Sequence, residues 1–143
     1  MVELKSELLR RLYDDWELRR GGRRFPARRD FDPLELKYVL GNLSLIDVLR
    51  DSRDYRYRLC GSISAARYGI DLTGRRLSEF LDIELRDVVR SHLDEVLRRE
   101  APVARFYDRT PIGDRIIHSE VLALPLSHDA ATIDMVMTAG AHF

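Results

Sequence analysis

The feature that most limits the possible folds is the order of apolar patterns in the second half of the chain. Residues 83–100 carry apolar side chains at helical spacing, and Pro102 lies just beyond them. Three strand-like runs follow, at 102–110, 115–126 and 131–140, separated by the turn sequences PIGD and SHDA. Because strands joined by such short links pair in antiparallel fashion, this half predicts a long helix followed by a three-stranded meander.

A second group of strand signals lies in the first half of the chain. The sequence LSLIDVL at 43–49 and the sequence YRYRLC at 55–60 flank a short polar stretch and predict a β-hairpin. The second strand alternates between two sets of side chains, Tyr55, Tyr57 and Leu59 on one face and Arg56, Arg58 and Cys60 on the other. We expect the aromatic face to meet the core. The whole pattern predicts an α+β domain, with a five-stranded antiparallel sheet packed on helices.

The N-terminal segment predicts an amphipathic helix over residues 2–20, ended by two glycines. Its apolar stripe consists of Leu4, Leu8, Leu12 and Trp16. Two interpretations fit this stripe, because both need the same residues. Either the stripe packs on its own domain, or it pairs with the same helix of a second chain.

A shorter second helix is predicted over residues 33–40. Asp32 suits the N-cap position, Pro33 suits the first helical position, and Glu35 can reach back to the cap. Gly41 is a suitable end for this helix.

Composition argues against several classes of protein. Lys plus Arg and Asp plus Glu number 24 each, so the chain has no overall charge to attract nucleic acid or an anionic membrane. An arginine-rich stretch at 19–29 leaves two interpretations open, a phosphate contact or a solvated loop. No apolar run reaches about 18 residues, and the one cysteine suits neither an internal disulfide nor a zinc site. We therefore expect a cytoplasmic protein with no nucleic-acid or membrane partner.

Four sequence motifs resemble those of a known family. They are WELRRGGRRFPARRDFDP at 16–33, YRYRLCG at 55–61, YGIDLTG at 68–74 and LPL at 124–126. Together they resemble the PAS domain, in the compact bacterial PAS family that was once known only as a domain of unknown function. The resemblance implies a sensory or interaction module, often dimeric through an N-terminal helix, whose sheet and helices surround a small-molecule pocket. It does not identify the ligand, because PAS domains hold haem, flavins, organic acids or nothing.

The resemblance leads to an expectation for organisation and function. Residues 1–32 are expected to form the N-terminal helix and an arginine-rich connecting loop, and residues 33–143 the PAS-like sensory domain. We expect a stand-alone bacterial module, not an enzyme, that binds an unknown small molecule and signals in trans, as a homodimer or with a protein partner. The interface residues would be Leu4, Leu8, Leu12 and Trp16. The identity of any cofactor is left open.

Pocket walls are expected from apolar and aromatic residues of the predicted strands and helices. The candidates are Tyr57, Leu59, Tyr68, Phe80, Val89, His92 and Phe106. Cys60 ends a strand, whereas the reactive cysteine of a photochemical flavin PAS domain lies on a helix, so light sensing through Cys60 is not expected. Arg58 is expected to pair with the loop around Asp30 and Asp32, or to bind an acidic ligand.

His92 lies within the apolar stripe of the long helix, and two interpretations stay open for it. In haem-binding PAS domains a histidine on the corresponding helix is the axial ligand, whereas most histidines on an apolar face are core residues with a satisfied hydrogen bond. A small α+β enzyme is the alternative from another class. It would need an acid or base inside the cavity, with Asp134, His92 or Glu120 as candidates and His118 beside Glu120 on one strand face.

Overall fold

The computed structural model describes residues 2–112 and 115–143, with the backbone alone at 108–112 and 115–117. The described residues form three α-helices and five β-strands. In chain order these are α1 (Glu7–Arg20), β1 (Leu43–Leu49), β2 (Asp54–Cys60), α2 (Ser62–Tyr68), α3 (Ile83–Arg99), β3 (Val103–Ile112), β4 (Arg115–Leu126) and β5 (Met135–His142). Short 3-10 turns lie at Arg28–Asp30, Leu40–Asn42, Arg50–Ser52 and Leu77–Glu79.

The sheet has the strand order β2-β1-β5-β4-β3, and each neighbouring pair is antiparallel. β1 and β2 form the predicted hairpin, and β3, β4 and β5 form the predicted meander. The pairing of β5 with β1 joins the two groups, with Leu43 opposite Ala139. α2 and α3 lie between the groups in the chain and connect the two edge strands. The predicted α+β fold with a five-stranded antiparallel sheet is confirmed.

Helices cover both faces of the sheet. α3 packs against β3 and β4, and α1 packs against β4 and β5 from the opposite side. Consecutive residues of β4 are buried, among them Leu122, Ala123 and Leu124. A strand buried on both faces is apolar along its length, which is what the sequence VLALPL shows. The core therefore has two layers, one on each side of β4.

α1 packs on its own domain. The helix begins after Ser6, whose hydroxyl accepts a hydrogen bond from the amide of Leu9 at 3.3 Å. Leu12 and Trp16 are buried, and the indole Nε1 of Trp16 donates to the carbonyl of Pro125 at 2.9 Å. A buried indole N–H needs such a partner, so this bond fixes the helix against β4.

The expected dimer surface on α1 is therefore largely taken up by the chain's own core. Leu12 and Trp16 cannot contact a second chain in this arrangement because the sheet already covers them. Leu4 and Leu8 are half-buried and pack against the same core. The expected division of the chain after residue 32 stays a prediction.

The predicted helix over 33–40 is wrong. The described backbone bonds in this segment run from residue i+3 to residue i, for example from Glu35 to Asp32 at 2.9 Å and from Val39 to Leu36 at 3.0 Å. Asp32 does cap the segment, because its side chain accepts from the amide of Leu34 at 2.9 Å. Leu36 and Val39 are both buried, and their spacing of three residues suits the tighter turns closed by bonds from residue i+3 to residue i.

A β-bulge in β2 overturns part of the predicted alternation. Leu45 lies opposite Leu59 and Ile46 lies opposite Tyr57, so Arg58 is an extra residue between two ladder pairs. Neighbouring residues of β1 point to opposite faces, and their partners do the same. Tyr57 and Leu59 therefore lie on opposite faces of the sheet, although simple alternation predicts one face for both.

The bulge also changes the surroundings of Cys60 and Arg58. Cys60 lies opposite Ser44 and shares the face of Tyr57 instead of pointing away from it. The guanidinium of Arg58 contacts the carboxylate of Asp47 at 3.1 Å. Its expected partner around residues 30–32 was wrong, because the bulge directs Arg58 across the hairpin to β1.

The arginine-rich stretch makes contacts within the chain. Arg23 contacts the carboxylate of Asp30 at 2.8 Å, and Arg19 donates to the backbone carbonyl of Asp30 at 2.9 Å. Arg24 contacts Glu100. Since these guanidinium groups already have carboxylate or carbonyl partners, the contacts favour a structural loop over a phosphate site.

Most other predicted bounds agree with the structure. β1 and β4 have the predicted bounds, and α3 ends one residue earlier than expected. β5 begins at Met135 instead of residue 131, because the residues before it form a turn around Asp129. The predicted turn over 111–114 depends on residues 113 and 114, which lie outside the described residues.

Candidate functional site

A small cavity lies between the sheet and the helices α2 and α3. About 70 Å³ of it is open to the centres of water-sized molecules. Drug-sized ligands occupy pockets of roughly 300–1,000 Å³, so this cavity suits several waters or one small molecule. Its apolar wall includes Ile46, Leu85, Val88, Val89 and Leu93, and its polar groups include Ser44, Ser64, Arg67, His92, Thr138 and His142.

His92 lies at the base of the cavity and has a partner on each ring nitrogen. Nε2 lies 2.8 Å from the carbonyl oxygen of Val103, and Nδ1 lies 3.0 Å from the hydroxyl of Tyr107. A carbonyl oxygen can only accept, so Nε2 carries the proton and Nδ1 accepts from Tyr107. Burial lowers the pKa of His92 to about 4, because desolvation disfavours the charged imidazolium. His92 is therefore a neutral residue that ties α3 to β3.

This arrangement does not fit a haem group. Ligation of iron by His92 would break the bond to Val103 or the bond to Tyr107, since both ring nitrogens are engaged. Haem and flavins are also drug-sized or larger molecules, and a cavity of about 70 Å³ does not hold them. Of the two interpretations of His92, the geometry favours the satisfied core residue.

His142 closes the cavity from the end of β5. Its ring lies over the backbone of Gly140, where an added Cβ would stand 3.2 Å from Nε2. Nδ1 is buried and makes no hydrogen bond within the part of the chain that the structure describes. Burial and the nearby charge of Arg67 lower the pKa of His142 to about 4, so the imidazole is neutral near pH 7.

The described residues of the lining include one permanently charged side chain. Among the described residues that line the cavity, Arg67 is the one permanent cation, and none is Asp or Glu. The three lining tyrosines stay protonated near pH 7, because burial raises the pKa of each, for Tyr68 to about 12. The wall therefore offers hydroxyls, one guanidinium and neutral imidazoles.

Four of the predicted pocket residues meet at this cavity. Tyr57, Tyr68, Val89 and His92 come from β2, α2 and α3 and line the same space. Whether they bind a ligand stays a prediction.

The other three predicted pocket residues lie elsewhere. Leu59 is turned to the opposite face by the bulge in β2. Phe80 packs behind the ring of Tyr57, with ring centroids 5.7 Å apart. Phe106 is 47% exposed and contacts Phe143 on the face that α1 covers, because it alternates with the inward-facing Tyr107.

Apart from His92, the polar groups of the cavity were not predicted from the sequence. Ser44, Thr138 and His142 alternate along β1 and β5 with residues of the opposite face, a period-2 signal that was present in the sequence. Arg67 had no comparable signal, since its place depends on how the short helix α2 meets the sheet.

The candidate acid and base residues of an enzyme lie mostly outside the cavity lining. The carboxylate of Glu120 accepts from the backbone amides of Lys5 and Ser6, and that of Asp134 accepts from the amide of His128 at 2.8 Å. His118 is exposed on β4. The candidate that does line the cavity is His92, whose nitrogens are engaged.

Other reactive groups give no catalytic arrangement. Burial raises the pKa of the Cys60 thiol, which disfavours the nucleophilic thiolate. Among the side chains that the structure describes, no three His, Cys, Asp or Glu groups could hold a metal ion.

Known structures share the fold of this chain. One is the PAS domain of Bordetella pertussis BvgS, at 16% sequence identity and a TM-score of 0.58, covering 79% of this chain and 88% of that chain. Another is a sensory box sensor histidine kinase from Vibrio cholerae, at 17% identity and a TM-score of 0.55, covering 78% of this chain and 87% of that chain. A search of curated proteins gives no significant match.

The family follows from a match along almost the whole sequence. The family model described as PAS domain matches residues 4–140. The described helices include none that is long and apolar enough to cross a membrane. The strand order, the helices on both faces and this match agree, and the chain belongs to the PAS domain family of sensory modules.

Proposed function

We propose that this PAS domain binds a small molecule in the cavity and transmits the bound state to a protein partner or to a second copy of the chain. The observation that carries the proposal is the cavity itself, which combines an apolar wall with a few polar groups that converge on one space. This combination is typical of sites that hold small ligands in a defined orientation. The bacterial and cytoplasmic setting, the homodimer and the signalling in trans stay predictions.

A direct structural link joins the cavity to α1. Ser119 of β4 lines the cavity, and its neighbour Glu120 points to the opposite face, where it holds the backbone amides of Lys5 and Ser6. A ligand that prefers one position of β4 would therefore also favour one position of the N-terminal segment. Such a shift requires a ligand with different affinities for the two arrangements.

Native mass spectrometry of the purified protein tests the input half of this proposal. We expect a retained or added small molecule on the wild-type chain, together with a raised thermal midpoint. Val89→Phe fills the cavity from α3 and should abolish the binding, whereas Ile83→Phe adds the same ring at an exposed position of α3 and should not.

The second part of the proposal, transmission of the bound state to a partner, is tested by measuring association. Sedimentation velocity with and without the bound molecule should show a change in oligomeric state or in partner binding. If no compound from neutral, anionic and cationic panels binds the wild-type chain, the proposal fails. If a ligand binds and association is unchanged, the signalling half fails.

A further inference from the structure

We propose that an arginine cluster at the β2 edge of the sheet docks an acidic segment of a protein partner. The cluster consists of Arg56 and Arg58 of β2 and of Arg76, which lies beside β2 in the chain segment before α3. This inference rests on the proposed function, because it assigns a surface and a chemistry to the protein partner named there.

Strand pairing brings the charged groups to one face of the sheet. Asp47 lies directly opposite Arg56 in the pairing of β1 with β2, and Arg56 forms a bridge with Arg76 on its other side. Residues directly opposite each other in an antiparallel pair have their side chains on the same face. Ile46 lines the cavity, so its neighbour Asp47 and both arginines point to the face opposite the cavity.

One carboxylate is shared by two of the arginines. The Nε of Arg58 donates to Oδ1 and Oδ2 of Asp47, each at 3.1 Å, and the Nη2 of Arg56 lies 3.7 Å from Oδ2. The side chain of Asp47 is 12% exposed, whereas those of Arg56 and Arg58 are 41% and 60% exposed. The carboxylate is therefore enclosed by cations that remain open to solvent, and a single negative charge faces two positive charges.

Arg76 adds a positive charge that has no partner. Its guanidinium is exposed and donates to no carbonyl or carboxylate of the residues that the structure describes. The carboxylate of Glu79 accepts from the backbone amide of Arg76 at 2.7 Å and not from its guanidinium. Like charges directly opposite each other, as in Arg56 and Arg76, destabilise a strand pair. A carboxylate from outside the chain would offset this repulsion and gain charge-assisted hydrogen bonds.

The backbone at this edge is already in use. The amide of Tyr57 donates to the carbonyl of Arg75 at 3.0 Å, and the amide of Gly74 donates to the carbonyl of Tyr57 at 2.7 Å. A partner therefore cannot add a strand to β2 at this point. The exposed side chains of the arginine cluster are left to make the contact.

Nearby carboxylates favour a short acidic segment over a long polyanion. Asp71 and Glu79 are exposed on either side of Arg76 along the chain, and Asp71 is held in its turn by the hydroxyl of Thr73 at 2.7 Å. A continuous row of phosphates would meet these negative charges, whereas a short protein segment can end before them. The surroundings of the arginine cluster therefore fit a protein better than nucleic acid or an anionic membrane.

The arginine cluster is connected to the cavity through neighbouring residues. Ile46 and Tyr57 line the cavity, and Asp47 and Arg56, which follow and precede them in the chain, belong to the charged row on the other face. A ligand that prefers one position of β1 or β2 would therefore also favour one arrangement of the arginine cluster.

Fluorescence anisotropy of the full chain with labelled probes tests the inference. The probes are a short glutamate-rich peptide, its counterpart with glutamine for each glutamate, and a short DNA duplex, all at one low ionic strength. Co-sedimentation with vesicles of phosphatidylcholine and phosphatidylglycerol covers the membrane case. We expect the glutamate-rich peptide to bind more tightly than each of the other probes, with an affinity that falls as salt is added. Amide spectra of the labelled protein should place the shifts at Arg56, Arg58 and Arg76.

A double variant tests the arginine cluster itself. Arg56→Gln with Arg76→Gln removes two charges and leaves Arg58 in place, so the carboxylate that they share keeps its closer partner. We expect this variant to bind the glutamate-rich peptide at least about threefold more weakly, in line with the modest strength of exposed ion pairs. Arg98→Gln with Arg99→Gln removes two exposed arginines at the end of α3, on the cavity side of the sheet, and should leave the affinity unchanged.

A single substitution keeps the test open if the double variant fails to fold. Arg76→Gln alone is then compared with Arg98→Gln, because the guanidinium of Arg76 has no partner to lose among the described residues. The same difference in affinity, of smaller size, is expected.

The outcomes distinguish this inference from the proposed function. If the glutamine counterpart binds as tightly as the glutamate-rich peptide, or if the cluster variant and its control bind alike, the inference is overturned. If DNA or vesicles bind through the arginine cluster more tightly than the peptide, the inference is overturned as well. In each of these cases the proposed function stands if a small molecule still changes association. If the peptide binds through the arginine cluster but no small molecule binds the chain, the docking surface stands and the proposed function fails.

Discussion

Glu120 of β4 accepts a hydrogen bond from the backbone amide of Ser6, 114 residues away in the sequence, at 2.8 Å. Its second carboxylate oxygen accepts from the amide of Lys5, also at 2.8 Å. Glu120 is 4% exposed, so these two amides provide the partners that a buried carboxylate needs. The pair fixes where the N-terminal segment ends and α1 begins, and it explains why the helix starts at Glu7 and not at residue 2.

Replacing this carboxylate should loosen the start of α1. In Glu120→Gln the amide group offers one acceptor and one donor, so one of the two backbone N–H groups loses its partner. We expect the free energy of unfolding in urea to fall by about 1–3 kcal/mol and hydrogen exchange to quicken at Lys5 or Ser6. Glu7→Gln alters an exposed carboxylate nearby and serves as the control. Equal stability of the two variants would contradict this role of Glu120.

Shortening the buried stripe of α1 should destabilise the monomer. Leu12→Ala leaves a cavity in the core, and we expect the free energy of unfolding to fall by about 2–5 kcal/mol. Leu18→Ala on the same helix changes a side chain that is 76% exposed and should cost no more than about 0.5 kcal/mol. A dimer interface at Leu12 predicts a different result, namely altered sedimentation with little loss of monomer stability.

Protonation of His92 should make stability depend on pH. Its pKa is lowered to about 4 in the folded chain and returns to an ordinary value near 6.5 on unfolding, so between these values the unfolded state binds more protons. The contribution of His92 is therefore fully present above pH 6.5 and is lost as the pH falls towards 4, at a cost on the order of 3 kcal/mol. The groups facing the ring are Tyr107, Arg105 and Glu95. Burial has a larger effect on the pKa of His92 than any of them.

Urea titrations at several pH values measure this dependence. His92→Gln keeps a donor for Val103 and an acceptor for Tyr107 but cannot titrate, so its stability should fall less between pH 6.5 and 4 than that of the wild-type chain. His142, whose pKa is also lowered to about 4, adds a loss of the same sign that remains in this variant. His118→Gln at an exposed position is the control. If the free energy of unfolding depends on pH in the same way for wild type and for His92→Gln, His92 does not cause the loss of stability.

Adding one carbon at Gly140 should displace the ring of His142. The new Cβ would stand 3.2 Å from Nε2 and 3.3 Å from Cε1, which is closer than the ring tolerates without shifting. We expect Gly140→Ala to weaken small-molecule binding in the cavity severalfold with little change in folding stability, because the ring of His142 needs to move by only a few tenths of an ångström. Gly22→Ala meets nothing within 4 Å and is the matched control. Titration calorimetry of both variants measures the affinity of the cavity for its ligand. Unchanged binding by Gly140→Ala would contradict the role of His142.

Several elements could be predicted because their signals are local. The stripe of α3 and the apolar runs of β1 and β4 depend on spacing within one segment, and their bounds agree with the structure to within one residue. The segment at 33–40 carries correct capping residues but remains a set of turns, since a cap fits both kinds of turn and the burial of Leu36 and Val39, three residues apart, depends on the folded structure.

Local sequence patterns were sufficient to predict the order of the five strands and the long helices, the antiparallel α+β class and the resemblance to the family. They did not determine which face of an edge strand meets the cavity, because that depends on pairing register. Because Arg58 is an extra residue in β2, Leu59 and Tyr57 lie on opposite faces of the sheet, and Cys60 lies on the same face as Ser44. The meeting of Arg67 and His142 likewise exists only once β5 has paired with β1 beside α2. Contacts between residues so distant in the chain are a property of the folded structure, which local patterns cannot encode.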